Sequence, residues 1–415
     1  MLKRADKFST EALGALANIK SGGTPDRQNM DFWLGGDIPW VTTSEVDYSL
    51  IERTKEKITK VGLENSAAKI FPKGTLLIAL YGQGKTRGQV GILGMEAATN
   101  QACAAILPTG KIESEFLFYV LQHDYLRIRA LSNSGGQQNL SGELIREIRV
   151  PVVSLPEQRR IVQILRTWDE AIEKLEALRS SIIERRSWIR SNILSGEIRL
   201  GNFNRPWKEV AFSEVLHEHG QNSQPQDEVF SVSVHKGLIN QIEHLGRSFS
   251  AANTDHYNRV LPGDIVYTKS PTGDFPLGII KQSTVDDPVI VSPLYGVFTP
   301  ETSALGTILD AYFESPVTAQ NYLHPLVQKG AKNTIAITNT RFLEGKLKLP
   351  RDPVEQEAIA DFIETDRAQA KGIDAEIEAL QRQKRGLMQK LLTGEWRVNV
   401  TEANNSIPEK EIAHG

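Results

Sequence analysis

The sequence has 415 residues, of which 40% are hydrophobic, 24% are charged and 7% are aromatic. This length fits two or more domains, since a domain holds about 100 to 200 residues, and the composition excludes disordered, collagenous and disulfide-scaffold proteins. The net charge of −3 is unlike that of a basic nucleic-acid-binding domain, so any DNA contact is predicted to come from local patches.

Cysteine usage and hydropathy indicate the compartment. Cys103 is the single cysteine, so the chain has no intrachain disulfide and no thiolate zinc cluster. The start of the chain lacks an apolar core followed by a small-residue cleavage site, and no window approaches the roughly 18 to 20 apolar residues of a membrane span. Together these features predict a cytoplasmic protein.

The first domain is predicted over residues 1–153 and is called the first head. It contains short β-rich runs at 75–80 and 104–107, and a helix is predicted over 114–132. After the first run, the sequence Gly-Gln-Gly-Lys-Thr shares its ending with phosphate-binding loops. Such a loop needs a glycine where Ala79 stands and a helix where 89–93 predicts a strand, so an ATP site is not expected.

Two polar stretches of the first head are candidates for DNA contact. A turn that lifts polar side chains out of a sheet can contact a nucleic-acid backbone or base edge, although a solvated hairpin tip is an alternative. An amide-rich turn lies at 134–139, and Gln and Asn form the bidentate hydrogen bonds that distinguish adenine in the major groove. The candidate residues of the two stretches are Gln83, Lys85, Thr86, Arg87, Gln137, Gln138 and Asn139.

A long helix, the first rod, is predicted over residues 154–200. Ser154 is a candidate N-cap with Glu157 three residues on, and Gly196 lies where a left-handed C-terminal cap is expected. Arg179 and Arg186 interrupt the apolar seam of this helix and are predicted to set its register. The seam positions follow heptad spacing and are Ile161, Leu165, Trp168, Ile172, Leu175, Ile182 and Ile189.

The second head is predicted over residues 201–351 and repeats the order of the first. Its β-rich runs at 265–268 and 278–280 precede a helix near 305–328. Polar side chains occupy the same two places as in the first head, and this recurrence strengthens a signal that is weak in isolation. The candidate DNA-contacting residues are Lys269, Ser270, Thr272, Lys332, Asn333, Thr334, Asn339 and Arg341.

The second rod is predicted over residues 352–398 and has the same kind of ends. Asp352 and Glu355 give the N-terminal signal, and Gly394 gives the C-terminal one. Asp366 and Lys384 interrupt its seam. The seam positions are Ile359, Ile363, Ile373, Ile377, Leu380 and Leu387. The polar tail at 399–415 lacks periodicity and is predicted to be disordered.

The two rods carry an internal repeat. Glu157 recurs as Glu355 and Arg199 recurs as Arg397, each at an offset of 198 residues. Equal lengths favour an antiparallel coiled coil with Arg179 or Arg186 near Asp366, and the alternative is that each helix packs on its own domain. A helix over 156–194 is about 58 Å long. Such a pair would separate two non-identical heads, as a split and asymmetric DNA target requires.

No catalytic pattern accompanies these features. Residues 292–295 lack the second proline of an amino-methyltransferase motif, and the Glu-x-Lys at 344–346 lacks the upstream acidic pair of a nuclease. The eight histidines show no metal-ligand spacing. We therefore predict no catalytic residue and no metal site.

Several segments together resemble the specificity subunits of type I restriction-modification systems, over roughly residues 8–398. The second head lacks the Ser-Gly-Gly-Thr-Pro start of the first, which implies a different half-site. The segments are Ser-Gly-Gly-Thr-Pro at 21–25, Gly-Asp-Ile-Pro-Trp-Val at 36–41, Gly-Lys-Thr at 84–86, Leu-Pro-Glu-Gln at 155–158, Leu-Ser-Gly-Glu at 194–197 and Leu-Thr-Gly-Glu at 392–395.

The resemblance implies an α+β protein without catalysis of its own, in which two target-recognition domains each bind half of a bipartite double-stranded DNA sequence. It also implies two methyltransferase subunits that use S-adenosylmethionine, and restriction and translocase subunits that use ATP and Mg. The chain itself is expected to bind no cofactor. The alternatives are a related system whose partner fuses methylation and cleavage, a stand-alone nuclease or methyltransferase, and a coiled-coil scaffold whose heads bind proteins.

Overall fold

A computed structural model describes residues 3–4, 8–82, 84–132, 139–242, 254–329 and 335–399. It divides the chain into two units. Unit 1 joins residues 1–175 to 376–415, and unit 2 comprises residues 176–375. Each unit contains one head and one half of each of two long helices. The predicted tail, 399–415, lies outside the described residues except for its first position.

The first head is a β-rich domain with five short α-helices among its described residues. Its strands are β1 (Lys3–Arg4), β2 (Thr10–Ala12), β3 (Ala17–Ser21), β4 (Ile38–Val41), β5 (Leu50–Ile51), β6 (Glu56–Ile58), β7 (Ile70–Phe71), β8 (Leu76–Ala79), β9 (Val90–Leu93), β10 (Ala97–Thr99), β11 (Cys103–Pro108) and β12 (Arg149–Pro151). Its helices are α1 (Leu13–Leu16), α2 (Lys60–Glu64), α3 (Ser114–His123), α4 (Tyr125–Leu131) and α5 (Gly142–Glu147).

The core of the first head lies on both sides of a five-stranded sheet with the order β3-β11-β8-β9-β5. Strand β8 is buried on both faces. Leu76 and Ile78 pack in the same cluster as Phe116 of α3, whereas Leu77 and Ala79 pack with Val41 in the cluster on the other face. A second sheet, β6-β4-β10-β7, contributes Val41. This burial on two sides explains the continuous apolar run in the sequence.

The single helix predicted over 114–132 is wrong in one respect, because the structure divides it into α3 and α4. The break falls at Asp124, whose φ of −85° and ψ of 8° lie outside the helical region. The helix predicted near 305–328 is divided in the same way, since Pro316 starts a new helix after Ser315 caps it. Sequence periodicity alone does not locate such breaks.

The second head repeats this plan with different connections. Its strands are β13 (Lys208–Ala211), β14 (Leu216–His217), β15 (Phe230–Ser233), β16 (Gly237–Asn240), β17 (Asn258–Val260), β18 (Ile265–Tyr267), β19 (Ile280–Gln282), β20 (Val289–Val291), β21 (Gly296–Pro300), β22 (Gln328–Lys329), β23 (Ile335–Ala336) and β24 (Lys346–Leu349). The first long helix, Leu155–Asn192, is α6. The described α-helices of the second head are α7 (Ser303–Phe313), α8 (Pro316–Leu323) and α9 (Asn339–Glu344).

The second head is built on the sheet β14-β21-β18-β19. Phe342 is fully buried and stacks on Tyr267 and Phe298, with ring centroids 4.8 Å and 5.0 Å away. Helix α7 covers the same face through Leu305 and Leu309. Aromatic packing of this kind contributes about 0.5 to 1.5 kcal/mol for each pair beyond the area that it buries.

Two long helices follow the heads, as predicted. Helix α6 ends at Asn192, and α10 (Pro353–Leu392) ends two residues before Gly394. Gly196 and Gly394 both have left-handed backbones, with φ of 74° and 79°. A final strand, β25 (Trp396–Arg397), pairs with β1 in unit 1. No helix within the described residues is both long enough and apolar enough to cross a membrane.

Within each unit the two helix halves run antiparallel, which confirms the predicted coiled coil. In unit 2, Arg179 pairs with Asp374 at 2.6 Å, and Arg186 further along α6 pairs with Asp366 further back along α10, also at 2.6 Å. In unit 1, Asp169 pairs with Lys384. Of the two arginines predicted to lie near Asp366, the structure therefore places Arg186 there.

The predicted seam positions differ in how deeply they are buried. Each head also packs on its own helix halves, since Ile161 and Leu165 belong to the core of the first head and Ile359 and Ile363 pack with α7. The buried positions are Ile161, Leu165, Ile182, Ile189, Ile359, Ile363, Ile373 and Ile377. The half-buried positions are Trp168, Ile172, Leu175, Leu380 and Leu387.

Candidate nucleic-acid interface

A glycine-rich turn leaves the first head between β8 and β9. Gly82, Gly84 and Gly88 have φ of 145°, 67° and 87°, which L side chains rarely adopt, so glycine is required along this turn. Lys85 is exposed at the tip, and Thr86 and Arg87 are half-buried. Gln83 lies outside the described residues. The turn thus presents Lys85 beyond the end of a fully buried strand.

The second polar stretch of the first head meets the base of this turn. The backbone N–H of Leu140 donates to the carbonyl of Leu80 at 3.0 Å, and Leu80 immediately precedes the turn. Asn139 is exposed beside this contact. Gln137 and Gln138 lie outside the described residues. Two stretches about fifty residues apart in the chain therefore come together at one end of the sheet.

Helix α4 lies against the turn. The Tyr125 hydroxyl donates a hydrogen bond to the Lys85 carbonyl at 2.6 Å, and Arg129 Nη1 donates to the Tyr125 hydroxyl, also at 2.6 Å. Across the base of the turn, the Gly88 N–H donates to the Ala79 carbonyl at 2.8 Å. The turn is held both by its own strands and by a helix from a later part of the chain.

The equivalent turn of the second head follows β18. Lys269 has a left-handed backbone with φ of 57°, which is uncommon for a residue with a side chain and stores strain. Burial lowers the pKa of Lys269, and the nearby Glu218 carboxylate opposes that shift. Ser270 and Thr272 are exposed, and Thr272 pairs with Phe275 through two backbone hydrogen bonds of 3.1 Å and 2.8 Å.

Glu218 brings the two predicted stretches of the second head together. Its carboxylate accepts a hydrogen bond from the Asn339 amide and lies near Lys269. Arg341, at the start of the same helix α9, donates to Glu344. The predicted residues Lys332, Asn333 and Thr334 lie outside the described residues. Sequence reasoning missed Glu218, since a lone carboxylate after a two-residue strand has no distinguishing pattern.

Cys103 and His219 both have structural surroundings. The described residues contain no group of three or more His, Cys, Asp or Glu side chains arranged to hold a metal ion. Burial raises the pKa of the Cys103 thiol to about 12, so this thiol is not an activated nucleophile. His219 bonds to Asp264 at 2.9 Å, and Asp264 also accepts from Thr299, so this pair serves the core of the second head.

The repeated Glu and Arg residues of the rods form two ion pairs, which we call clasps. Clasp 1, in unit 1, joins Glu157 at the start of α6 to Arg397 after α10, through two hydrogen bonds of 2.7 Å. Clasp 2, in unit 2, joins Glu355 at the start of α10 to Arg199 after α6. Each helix start is thus tied to the segment that follows the other helix.

Each clasp also contacts an aromatic ring. The Arg397 guanidinium lies 4.8 Å from the Phe8 ring, and the Arg199 guanidinium lies 5.6 Å from the Trp207 ring. Trp207 donates from its indole nitrogen to Glu355 at 3.1 Å. Attraction between a cation and a ring adds about 0.5 to 1 kcal/mol at partly exposed sites. The repeat is therefore structural, and its positions fix the helices to the heads.

The repeated glutamines tie each helix start to its own head. Gln158 donates to the Val153 carbonyl at 2.7 Å and accepts from the Glu113 N–H at 2.8 Å. Gln356 donates to the Pro350 carbonyl at 2.8 Å and accepts from the Thr302 hydroxyl at 2.6 Å. These amides satisfy the backbone where each head continues into its helix.

Comparisons with known proteins agree with this organisation. Residues 6–184, which include the first head and most of α6, match the family model of the type I restriction modification DNA specificity domain. The chain is 25% identical over 267 residues to the type I restriction enzyme MjaIX specificity subunit of Methanocaldococcus jannaschii, covering 59% of this chain and 60% of that protein. It is 25% identical over 180 residues to the EcoR124I/EcoR124II specificity subunit of Escherichia coli, covering 42% of each.

Solved structures share the fold. The S subunit of a type I restriction-modification system from M. genitalium superposes with a TM-score of 0.57 at 13% identity, covering 93% of this chain and 96% of that one. A chain from a study of complex assembly in the type I R-M system gives a TM-score of 0.55 at 15% identity, covering 95% and 99%. The aligned segments span less than two thirds of each curated relative.

The first head is thus a DNA specificity domain of the type I restriction-modification class, and the second head repeats its plan. The whole chain shares its fold with the solved S subunit of a type I restriction-modification system, and 267 of its residues align with a curated specificity subunit at 25% identity.

Proposed function

We propose that this chain recognises a bipartite, asymmetric double-stranded DNA target, with one half-site for each head. The observation that carries the proposal is the meeting of two polar stretches at one end of the sheet in each head, at Leu80 and Leu140 in the first and around Glu218 in the second. Lys, Arg, Asn and Gln at such an edge supply donors to phosphates and to purine edges. The two turns differ in sequence, which supports two different half-sites.

The remaining steps of restriction and modification belong to partner subunits under this proposal. Two methyltransferase subunits would use S-adenosylmethionine, and restriction and translocase subunits would use ATP and Mg, while this chain binds none of these cofactors. Exposed apolar side chains of α6 in unit 2 support docking on the helices. Ile183 is 58% exposed and Trp188 is 49% exposed, and aromatic residues are enriched in the centres of protein interfaces.

Methylation mapping tests the proposal directly. The chain is co-expressed with the methyltransferase encoded beside it, and N6-methyladenine is mapped by single-molecule sequencing across the DNA of the expression host. We expect a split, asymmetric methylated motif that disappears when this chain is left out. Methylation that does not depend on this chain would refute the proposal and favour a scaffold.

The turns are tested by matched variants in the two heads. Lys85→Ala combined with Arg87→Ala is expected to weaken DNA binding by the complex about 5- to 100-fold, the range for losing one or two charged contacts. Lys269→Ala is expected to affect the other half-site. Binding is measured by fluorescence anisotropy on a duplex that carries the mapped motif. Unchanged affinity would remove these side chains from the interface.

A further inference from the structure

Helix α4 forms a seat for the glycine-rich turn of the first head. A Cβ atom added to Gly88 would lie 3.3 Å from Arg129 Cγ, 3.6 Å from Ile128 Cγ2 and 3.7 Å from Tyr125 Cδ2. These three side chains lie on one face of α4, at spacings of three and four residues. The turn therefore packs directly on the helix, and a Cβ atom at position 88 would require the Arg129 side chain to shift by a few tenths of an ångström.

Tyr125 makes the polar contact of this seat. Its hydroxyl accepts from Arg129 Nη1 and donates to the Lys85 carbonyl, with both distances at 2.6 Å. Because the arginine is a permanent cation that donates to the hydroxyl oxygen, it directs the hydroxyl proton towards the carbonyl and strengthens the second bond. The chain of bonds ends on the peptide group between Lys85 and Thr86.

The ring of Tyr125 is fixed from the other side. Tyr48 meets it edge to face, with ring centroids 6.0 Å apart and planes at 80°. Tyr48 itself has a left-handed backbone with φ of 67° and donates from its N–H to the Val90 carbonyl at 2.8 Å. Burial raises the pKa of the Tyr48 hydroxyl, so this ring stays neutral. Tyr125 is thus held between the turn on one side and Tyr48, with its left-handed backbone, on the other.

A carbonyl held in place fixes the peptide plane, and with it the directions of the Lys85 and Thr86 side chains. The neighbouring glycines do not supply this constraint, since glycine has more conformational freedom than any other residue. We propose that Tyr125 is a positioning residue for DNA recognition by the first head, acting through the Lys85 carbonyl. The inference rests on the proposed function and identifies a residue that does not itself need to touch a base.

The test uses the full chain in complex with its methyltransferase and the genomic DNA of the expression host as substrate. A ratio is calculated for each half-site. It is the methylated fraction of sites that carry one altered base in that half-site, divided by the methylated fraction of intact targets. The half-site whose ratio changes in the Lys85→Ala, Arg87→Ala variant is assigned to the first head. Tyr125→Phe keeps the ring packing on Tyr48 and Gly88 and removes the hydroxyl alone.

We expect Tyr125→Phe to raise this ratio about three- to tenfold at the half-site of the first head, as the loss of one hydrogen bond predicts. The ratio at the other half-site should not change. Tyr119→Phe is the matched control, because it removes a hydroxyl that donates to Asp169 at 2.6 Å in the same unit, away from the turn. Its two ratios should equal those of the wild type.

The possible failures are distinguishable. An unchanged ratio in Tyr125→Phe, alongside a changed ratio in the Lys85→Ala, Arg87→Ala variant, would overturn the positioning role and leave the proposed function standing. Equal changes at both half-sites, or in the Tyr119→Phe control, would indicate general loosening and would also overturn it. A wild-type complex without a split motif would refute the proposed function, and the positioning role with it.

Discussion

The two heads hold equivalent turns by different means. In the first head the support comes from outside the sheet, where Tyr125 of α4 donates to the Lys85 carbonyl. In the second head it comes from the strand that leads into the turn, since the Tyr267 hydroxyl of β18 donates to the Leu277 carbonyl at 2.8 Å. The position of the turn at the end of a buried strand is constant, whereas its sequence and its support vary between the heads.

The ends of the two long helices, in contrast, are held by the same residue types in both units. Both clasps use a glutamate at a helix start and an arginine after the other helix, in equivalent positions of the repeat. Constant clasps and variable turns fit the proposed recognition of two different half-sites, because the turns can change without altering how the heads join the helices. The clasps still differ in depth. Arg199 is 18% exposed and Arg397 is 44% exposed.

The largest expected effect follows from that difference in depth. Glu355→Ala leaves Arg199 half-buried without its carboxylate and removes the acceptor of the Trp207 indole, so unit 2 should lose about 3 to 5 kcal/mol of unfolding free energy. Glu157→Ala should cost unit 1 less, because water can solvate Arg397. Hydrogen exchange followed by mass spectrometry measures each unit separately, which a single melting temperature does not.

The exposed Glu357, in the first turns of α10, provides the control for these clasp variants. Glu357→Ala should leave protection in both units close to that of the wild type. Equal losses from Glu355→Ala and Glu157→Ala would show that burial does not distinguish the two clasps.

The second-largest expected effect is the loss of stability when a glycine of either turn is replaced by alanine. A Cβ atom at Gly278 would lie 2.8 Å from the Tyr267 ring and 2.9 Å from the backbone nitrogen of Lys269. A Cβ atom at Gly88 would have Arg129 Cγ as its nearest neighbour, 3.3 Å away. Gly278→Ala should therefore destabilise unit 2 by about 1 to 3 kcal/mol, and Gly88→Ala should destabilise unit 1 by about 1 kcal/mol. Exchange rates of peptides from each turn give the measurement.

Gly273 separates backbone strain from steric overlap in this comparison. Its φ is 47°, but no atom lies within 4 Å of an added Cβ. Gly273→Ala should cost less than Gly278→Ala. If both cost the same, close packing against Tyr267 is not what distinguishes the supports of the two turns.

The sequence predicted what depends on repetition and periodicity. The offset between Glu157 and Glu355 located both helices. The polar interruptions of the seams predicted that Arg179 or Arg186 would approach Asp366, and the structure places Arg186 there at 2.6 Å. Capping signals identified the starts of the helices and Gly394 identified the end of α10, whereas α6 ends at Asn192, four residues before Gly196. These features are local or strictly periodic, so a single sequence contains them in full.

The supports of the turns were not predictable in this way. Tyr125 lies in a stretch predicted as one continuous helix, and nothing in that pattern indicates that its hydroxyl reaches Lys85, forty residues earlier. Glu218 was missed for the same reason, because its contacts with Asn339 and Lys269 join three distant segments. Contacts of this kind depend on tertiary packing, which overrides local preference.

The smallest expected effect compares the cations that tie each head to α10. In unit 2, Arg367 donates to Asp310 at 2.6 Å and to Glu314 at 2.8 Å, and it stays charged at all accessible pH values. In unit 1 the cation is His123, which lies 3.0 Å from Asp124 and 2.9 Å from Gln389. The hydrogen bond to Asp124, helped by Gln389, raises the pKa of His123 above its ordinary value of 6.5.

Because the pKa of His123 is raised by folding, its protonated form stabilises unit 1. That stability is fully present below pH 6.5 and is lost as the pH rises through the pKa of the folded state. His123→Gln should therefore lower the hydrogen-exchange protection of unit 1 in mildly acidic solution, and its difference from the wild type at the same pH should shrink as the pH rises. Arg367→Gln should cost unit 2 the same across this range. A His123→Gln difference that is constant with pH would show that the imidazole contributes through its neutral hydrogen bonds alone.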